Sequence, residues 1–174
     1  EIILLMLRLP RVAAGIAAGA SLGTAGAAMQ AITGNQMASP FTTGLSSAAA
    51  LGAAAVIVFG GVSAGMVKTA TVLAAFVMAV LCAMLVFGIA GVKGMGAESL
   101  VLTGIALNYL FSALNSTMQF IANEDQLPAI VHWSFGSLNS VGWTDICIMG
   151  AIFLSAFPAV FSQGWAFNLM EGGG

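Results

Sequence analysis

The chain has 174 residues, 60% apolar and 6% charged, with a formal net charge of −2 and a mean hydropathy of +1.05. A water-soluble domain carries about a quarter of its residues as charges, so four Lys/Arg and six Asp/Glu cannot cover a globule with a wetted surface. The composition excludes a soluble globular domain, and with no basic patch it offers nothing to nucleic acid.

The hydrocarbon core of a bilayer takes about 20 residues of helix. Measured against that length, the sequence contains five apolar runs: 12–32, 45–62, 69–90, 100–121 and 146–165. No sustained period-two alternation interrupts them, so helices and not barrel strands are expected. The first run is introduced by Arg8-Leu9-Pro10-Arg11, with the proline suited to a first helical turn because its missing N–H would have no partner there. Inside it, Gly15, Gly19, Gly23 and Ala27 recur every four residues and give one smooth face that another backbone could approach.

The breaks between runs have their own chemistry. Residues 33–43 are polar and turn-rich, 63–68 form a second connection, and 91–96 read as a tight glycine-rich turn. The longest interruption, 122–145, has room for a short interfacial helix, with Trp133 and Trp143 placed as membrane-interface anchors. The chain opens on Glu1 without a basic leader and closes on Glu171-Gly172-Gly173-Gly174, so both ends read as those of a fragment.

Little in this sequence can do covalent chemistry. There is no phosphate-binding loop ending in Lys-Ser/Thr, and the carboxylates are expected in loops or at the chain ends, leaving no intramembrane proton relay. Cys82 and Cys147 lie in apolar runs as small hydrophobes, and the single histidine, His132, reads as an interfacial residue, so no metal site is expected. The fourth run does carry a polar stripe: Asn108 and Asn115 are seven apart, as are Ser112 and Gln119. Such a stripe serves either interhelical hydrogen bonding or a water-lined pathway.

Several segments together resemble one family. Arg8-Leu9-Pro10-Arg11-Val12, Gly19-Ala20-Ser21-Leu22, Gly34-Asn35-Gln36-Met37-Ala38-Ser39-Pro40 and Gly44-Leu45-Ser46-Ser47 are similar to the FecCD/BtuC-like permeases of type II ABC importers. Leu102-Thr103-Gly104-Ile105 and Trp133-Ser134-Phe135-Gly136-Ser137-Leu138 extend the likeness, which runs from about Leu7 to Leu169. One element departs from the family pattern, reading Asn35-Gln36-Met37-Ala38 where a proline normally follows the asparagine.

The resemblance implies an all-α polytopic membrane helix bundle, a single incomplete permease domain over 1–174 with about five transmembrane helices. It implies the translocation subunit of an importer for an iron chelate such as an iron–siderophore, with haem or vitamin B12 as alternative cargoes. The chain would bind no cofactor itself. ATP and Mg would be used by partner ATPase subunits, substrate would arrive on a periplasmic or lipid-anchored binding protein, and a second permease copy or paralogue would complete the pathway in the cell membrane.

Within that scheme Arg8 and Arg11 would dock the binding protein. Asn108, Ser112, Asn115 and Gln119 would line the pathway, and Gly91, Gly94 and Gly96 would form a cytoplasmic gate turn. Charge bias points the other way on orientation: Arg8, Arg11 and Lys68 share one face and Lys93 lies on the other, so the positive-inside rule would put the Arg8–Arg11 face in the cytoplasm. The family likeness places the Arg8–Arg11 end outside, and we give it the greater weight over so few charges. A secondary transporter or channel without an ATPase would share the same composition, and the likeness is what separates the two.

Overall fold

The structure is a computed structural model that describes residues 4–61, 63, 65–92, 97–139 and 141–162. Among them every regular element is helical: α1 (Leu9–Thr33), α2 (Leu45–Phe59), α3 (Val67–Val92), α4 (Ala97–Ile121), α5 (Gln126–Phe135) and α6 (Trp143–Ser162). A π-helical turn, Leu4–Arg8, precedes α1, and a 3-10 turn, Pro40–Thr43, precedes α2. Among the described residues four segments are long and apolar enough to span a bilayer, Leu4–Thr33, Val67–Ile89, Glu98–Ile121 and Trp143–Ser162.

Two boundaries differ from the sequence expectation for physical reasons. The first helix starts before residue 12, because the chain is already helical from Leu4. Pro10 cannot donate to the carbonyl four residues back and its ring crowds that carbonyl. The wider π turn over Leu4–Arg8 is the local spacing that accommodates it. The second run yields only 15 helical residues, about 22 Å at 1.5 Å per residue, against a core of about 30 Å. Its first turns are diverted by Pro40 and by Gly44, whose φ of +79° belongs to the left-handed region.

The chain forms two compact units, 1–38 with 137–174, and 39–136. In the first, α1 packs against α6. Gly34, at φ +57°, ends α1 with a left-handed cap, and Asn35 N–H bonds back to Gln30 O at 3.2 Å. A Cβ added at Gly15 would lie 3.9 Å from Leu138 Cδ1, but one at Gly19 or Gly23 would have nothing within 4 Å. The smooth face read from the sequence is therefore open among the described residues. On α6, Pro158 removes one ladder bond, and Phe153, Phe157 and Phe161 stack along one side with centroids 5.3 and 5.9 Å apart.

In the second unit α2 is the central element, packed by α3, α4 and α5. Its Ala48, Leu51, Ala53 and Ala54 are buried. The contact with α3 is backbone to backbone: a Cβ on Gly52 would lie 2.5 Å from Ala74 O and 2.8 Å from Met78 Cγ. α4 closes on the 3-10 turn in the same way, with a Cβ on Gly104 falling 2.8 Å from Thr43 Cα. Cys82 on α3 donates to Thr43 O at 3.7 Å, fixing the third side of that junction.

The long interruption contains a short helix, as expected, and it is α5. Its start is a reciprocal box: Asn123 Oδ1 accepts from Gln126 N at 2.9 Å and Gln126 Oε1 accepts from Asn123 N at 3.1 Å. The same glutamine donates through Nε2 to Val58 O at 3.2 Å, satisfying a carbonyl at the end of α2. Ile130 is the side chain that buries α5.

Overpacking a tight core costs about 1 to 3 kcal/mol. Gly52→Val, with two methyls directed at a backbone carbonyl, should reach the upper end of that range and lower the thermal midpoint in detergent. An unchanged midpoint would show that α2 and α3 do not meet this closely.

Candidate functional site

Three groups of residues were singled out by the sequence, and the structure treats them differently. Arg8 and Arg11 lie in the first unit at the start of α1, where the π turn gives way to α-helix. Arg8 is exposed and makes no hydrogen bond or ion pair with a described residue. Arg11 is half-buried and donates from its guanidinium to Asn139 O at 3.4 Å.

Next to them Trp143 Nε1 donates to Leu5 O at 3.2 Å, tying the start of α6 to the turn before α1. The anchoring role expected of Trp143 thus includes a protein partner. No sequence signal announces this pairing, since a tryptophan indole and a main-chain carbonyl 138 residues apart leave no pattern.

The polar stripe is on α4, in the second unit. At about 100° per residue, Asn108, Ser112, Asn115 and Gln119 fall within an arc of about 60°. Gly104 and Phe111, buried on the same helix, flank that arc on one side. Asn108, Asn115 and Gln119 are half-buried beside this packed face, while Ser112 looks outward. The stripe is one strip along the edge of the contact between α4 and its neighbours.

Among the described residues, two buried polar atoms lack a partner, Asn115 Oδ1 and Thr71 Oγ1 on α3. Unsatisfied polar atoms within a membrane are costly and mark functional positions more often than packing ones.

Of the gate turn, only Gly91 is described, near the end of α3, with open space where a Cβ would stand. Gly94 and Gly96 lie outside the described residues. No group of three or more His, Cys, Asp or Glu able to hold a metal ion occurs among the described residues. A groove of about 370 Å³ runs between α1 and α6 and is lined mainly by apolar side chains. Its Ser21 and Thr24 hydroxyls donate to Ala17 O and Ala20 O, each at 2.8 Å, so it presents no free donor to a polar solute.

The sequence profile of the FecCD transport family matches residues 1–174.

The chain belongs to the FecCD transport family.

A FecCD relative from Methanocaldococcus jannaschii, described as an ABC transporter permease protein, is 37% identical over 175 residues, covering 96% of this chain and 50% of its own length. One from Helicobacter pylori, described as an iron chelatin transport system permease protein, is 36% identical over 98% of this chain and 50% of its own. The fold agrees with a solved metal-chelate type ABC transporter in an inward-facing conformation, with a TM-score of 0.80 and 32% identity over 98% of this chain and 53% of that one. Other relatives are described as molybdate and cobalamin import permeases. The chain spans about half the length of the curated relatives it matches. Membership makes it an all-α integral membrane chain of the permease kind, as read from the sequence.

An unpartnered buried acceptor costs about 1 to 3 kcal/mol. Asn115→Leu, close in volume and without polar atoms, should therefore raise the thermal midpoint of the purified protein. A lowered midpoint would mean that Asn115 Oδ1 is satisfied in the assembled protein and stabilises it.

Proposed function

We propose that this chain forms part of the translocation pathway of an ATP-driven importer for an iron chelate. The observation that carries the reading is family membership over the whole chain, joined to a polar strip on a spanning helix. The iron chelatin permease of Helicobacter pylori and the metal-chelate transporter of matching fold support a chelate as cargo. Molybdate and cobalamin among the relatives' substrates make cargo the point to test.

In this reading the chain does no covalent chemistry. Hydrolysis of ATP belongs to partner ATPase subunits, and a second permease copy or paralogue completes the pathway. The half-buried amides of Asn108, Asn115 and Gln119, with the exposed Ser112, offer a polar solute hydrogen-bonding groups that lipid does not. The turn at Gly91, Gly94 and Gly96 is the proposed gate on the cytoplasmic side.

Uptake should be measured in proteoliposomes containing the intact permease, its ATPase and its binding protein. Radio-iron bound to a siderophore should accumulate in an ATP-dependent way, with labelled molybdate and cobalamin remaining at background. Accumulation of either of those, and not of iron, would replace the cargo.

The Arg8–Arg11 end is the proposed docking place for the substrate-binding protein. A guanidinium presents a fixed fork of donors suited to a carboxylate, and pairs desolvated at the middle of a contact couple by roughly 1.5 to 7 kcal/mol. Reversing both charges with Arg8→Glu and Arg11→Glu should weaken the binding protein's affinity at least about tenfold in nanodiscs, with ATPase assembly intact. Wild-type affinity in the double variant would remove the docking role and leave two lipid-anchoring arginines.

A further inference from the structure

We infer that the Pro40–Gly44 turn is a stop built of backbone against which α4 seats, and that Gly44 and Gly104 are the residues that position the polar strip. The placement rests on contacts within the second unit, and its meaning for transport rests on the proposed pathway.

The turn is stiff for its length. Pro40 fixes its own φ, and Ser39 before it is extended, at φ −136° and ψ 145°. Ser39 serves the turn through both of its oxygens. The hydroxyl accepts from Phe41 N at 3.3 Å, and the carbonyl accepts from Thr42 N at 3.0 Å and Thr42 Oγ1 at 2.7 Å. Thr43, buried, donates back through Oγ1 to Pro40 O. Gly44 then leaves at φ +79°, with its carbonyl held by Ala48 N and Ser47 Oγ in the first turn of α2.

α4 meets this stop over one turn of helix. A Cβ on Gly104 would lie 2.8 Å from Thr43 Cα and 3.0 Å from Thr42 O, both inside ordinary contact distance. A Cβ on Gly44 would lie 3.0 Å from Asn108 N and 3.3 Å from Asn108 Cα. Main chain thus rests on main chain at 104 and at 108, where no rotamer change can relieve an added atom. Asn108 is the first residue of the strip, so the part of α4 that bears on the stop also presents the strip's first amide. Position 119 is about 16 Å farther along the axis at 1.5 Å per residue. A disturbance at the stop should therefore fade along the strip. Thr43 O also accepts from Cys82 Sγ on α3 at 3.7 Å, which keeps the turn from retreating when α4 presses on it.

Gly104→Ala is the direct test, because at Gly44 the positive φ would strain any side chain whatever it met. Alanine favours helix over glycine, so an alanine facing open space slows local amide exchange. Gly88→Ala on α3, with nothing within 4 Å of its Cβ, should do so. Hydrogen exchange of the intact permease–ATPase complex should show the opposite sign in Gly104→Ala. Exchange should run roughly tenfold faster over 104–112 and fall to the wild-type rate over 116–121. Adding Cys82→Ala lets the turn give way in place of α4, and exchange over 104–112 should return most of the way. ATP-driven uptake of the iron–siderophore should fall several-fold in Gly104→Ala and recover in the same double variant.

Pro40→Ala adds nothing to the junction and only loosens the turn, so it tests the stop even where Gly104→Ala does not fold. Exchange over 104–112 should then rise roughly two- to fivefold. Slower exchange in Gly104→Ala, or exchange raised evenly along α4, overturns the stop, and so do wild-type rates in Pro40→Ala. The expected exchange pattern with wild-type uptake leaves the contact standing and removes the strip from the pathway, and with it the transport role of the two glycines.

Discussion

Gly52 and Gly104 let three stretches of backbone touch, and the second unit is organised around those contacts. In lipid the hydrophobic effect does not drive one helix onto another, because the surrounding chains are as apolar as leucine. Close van der Waals packing must hold the helices together, and it needs surfaces without side chains in the way. A side chain at position 52 would strike the Ala74 carbonyl, and one at 104 would strike Thr43. The small residues Ala48, Ala53 and Ala54 continue the same surface along α2.

A second constraint follows from the first. α2 is too short to carry both its ends to the interfaces, so its unpaired backbone groups must find partners within the protein. Gly44 O accepts from Ala48 N at 3.0 Å and from Ser47 Oγ at 2.9 Å at one end. Gln126 Nε2 serves Val58 O at the other. The short helix α5 is what makes this possible, because its N-terminal box places the glutamine that ends α2. Ile130, fully buried, holds it there.

Much of this was legible in the residues. Apolar run length pointed to the helices, and polar, glycine-rich breaks pointed to the connections, including a short helix at 126–135 between two long ones. The Arg-Leu-Pro-Arg and Gly-Leu-Ser-Ser segments pointed to the family, which the whole-chain match bears out. What stayed hidden was which glycines carry the packing. The regular Gly15, Gly19, Gly23 row was conspicuous because it repeats, yet Gly19 and Gly23 face open space. Gly44, Gly52 and Gly104 have no shared spacing, because they meet different partners on three elements. Hydrogen bonds from Arg11 to Asn139 and from Trp143 to Leu5 were equally unreadable, since a main-chain carbonyl accepts whatever its side chain is.

The two units also differ in what holds them. The second has a buried core running through α2, α3 and α4, whereas α6 buries no described residue and α1 buries only Pro10, Ala14 and Met29. In water such exposed apolar helices would be a liability. In lipid, exchanging one apolar neighbour for another costs little, because no apolar surface is transferred to or from water. Movement is then opposed mainly by polar attachments and by tight backbone contacts. In the second unit the glycine contacts at 44, 52 and 104 resist it. In the first, resistance is concentrated at one end, where Arg11 and Trp143 hold the start of α1, and the smooth face at Gly19 and Gly23 offers almost none.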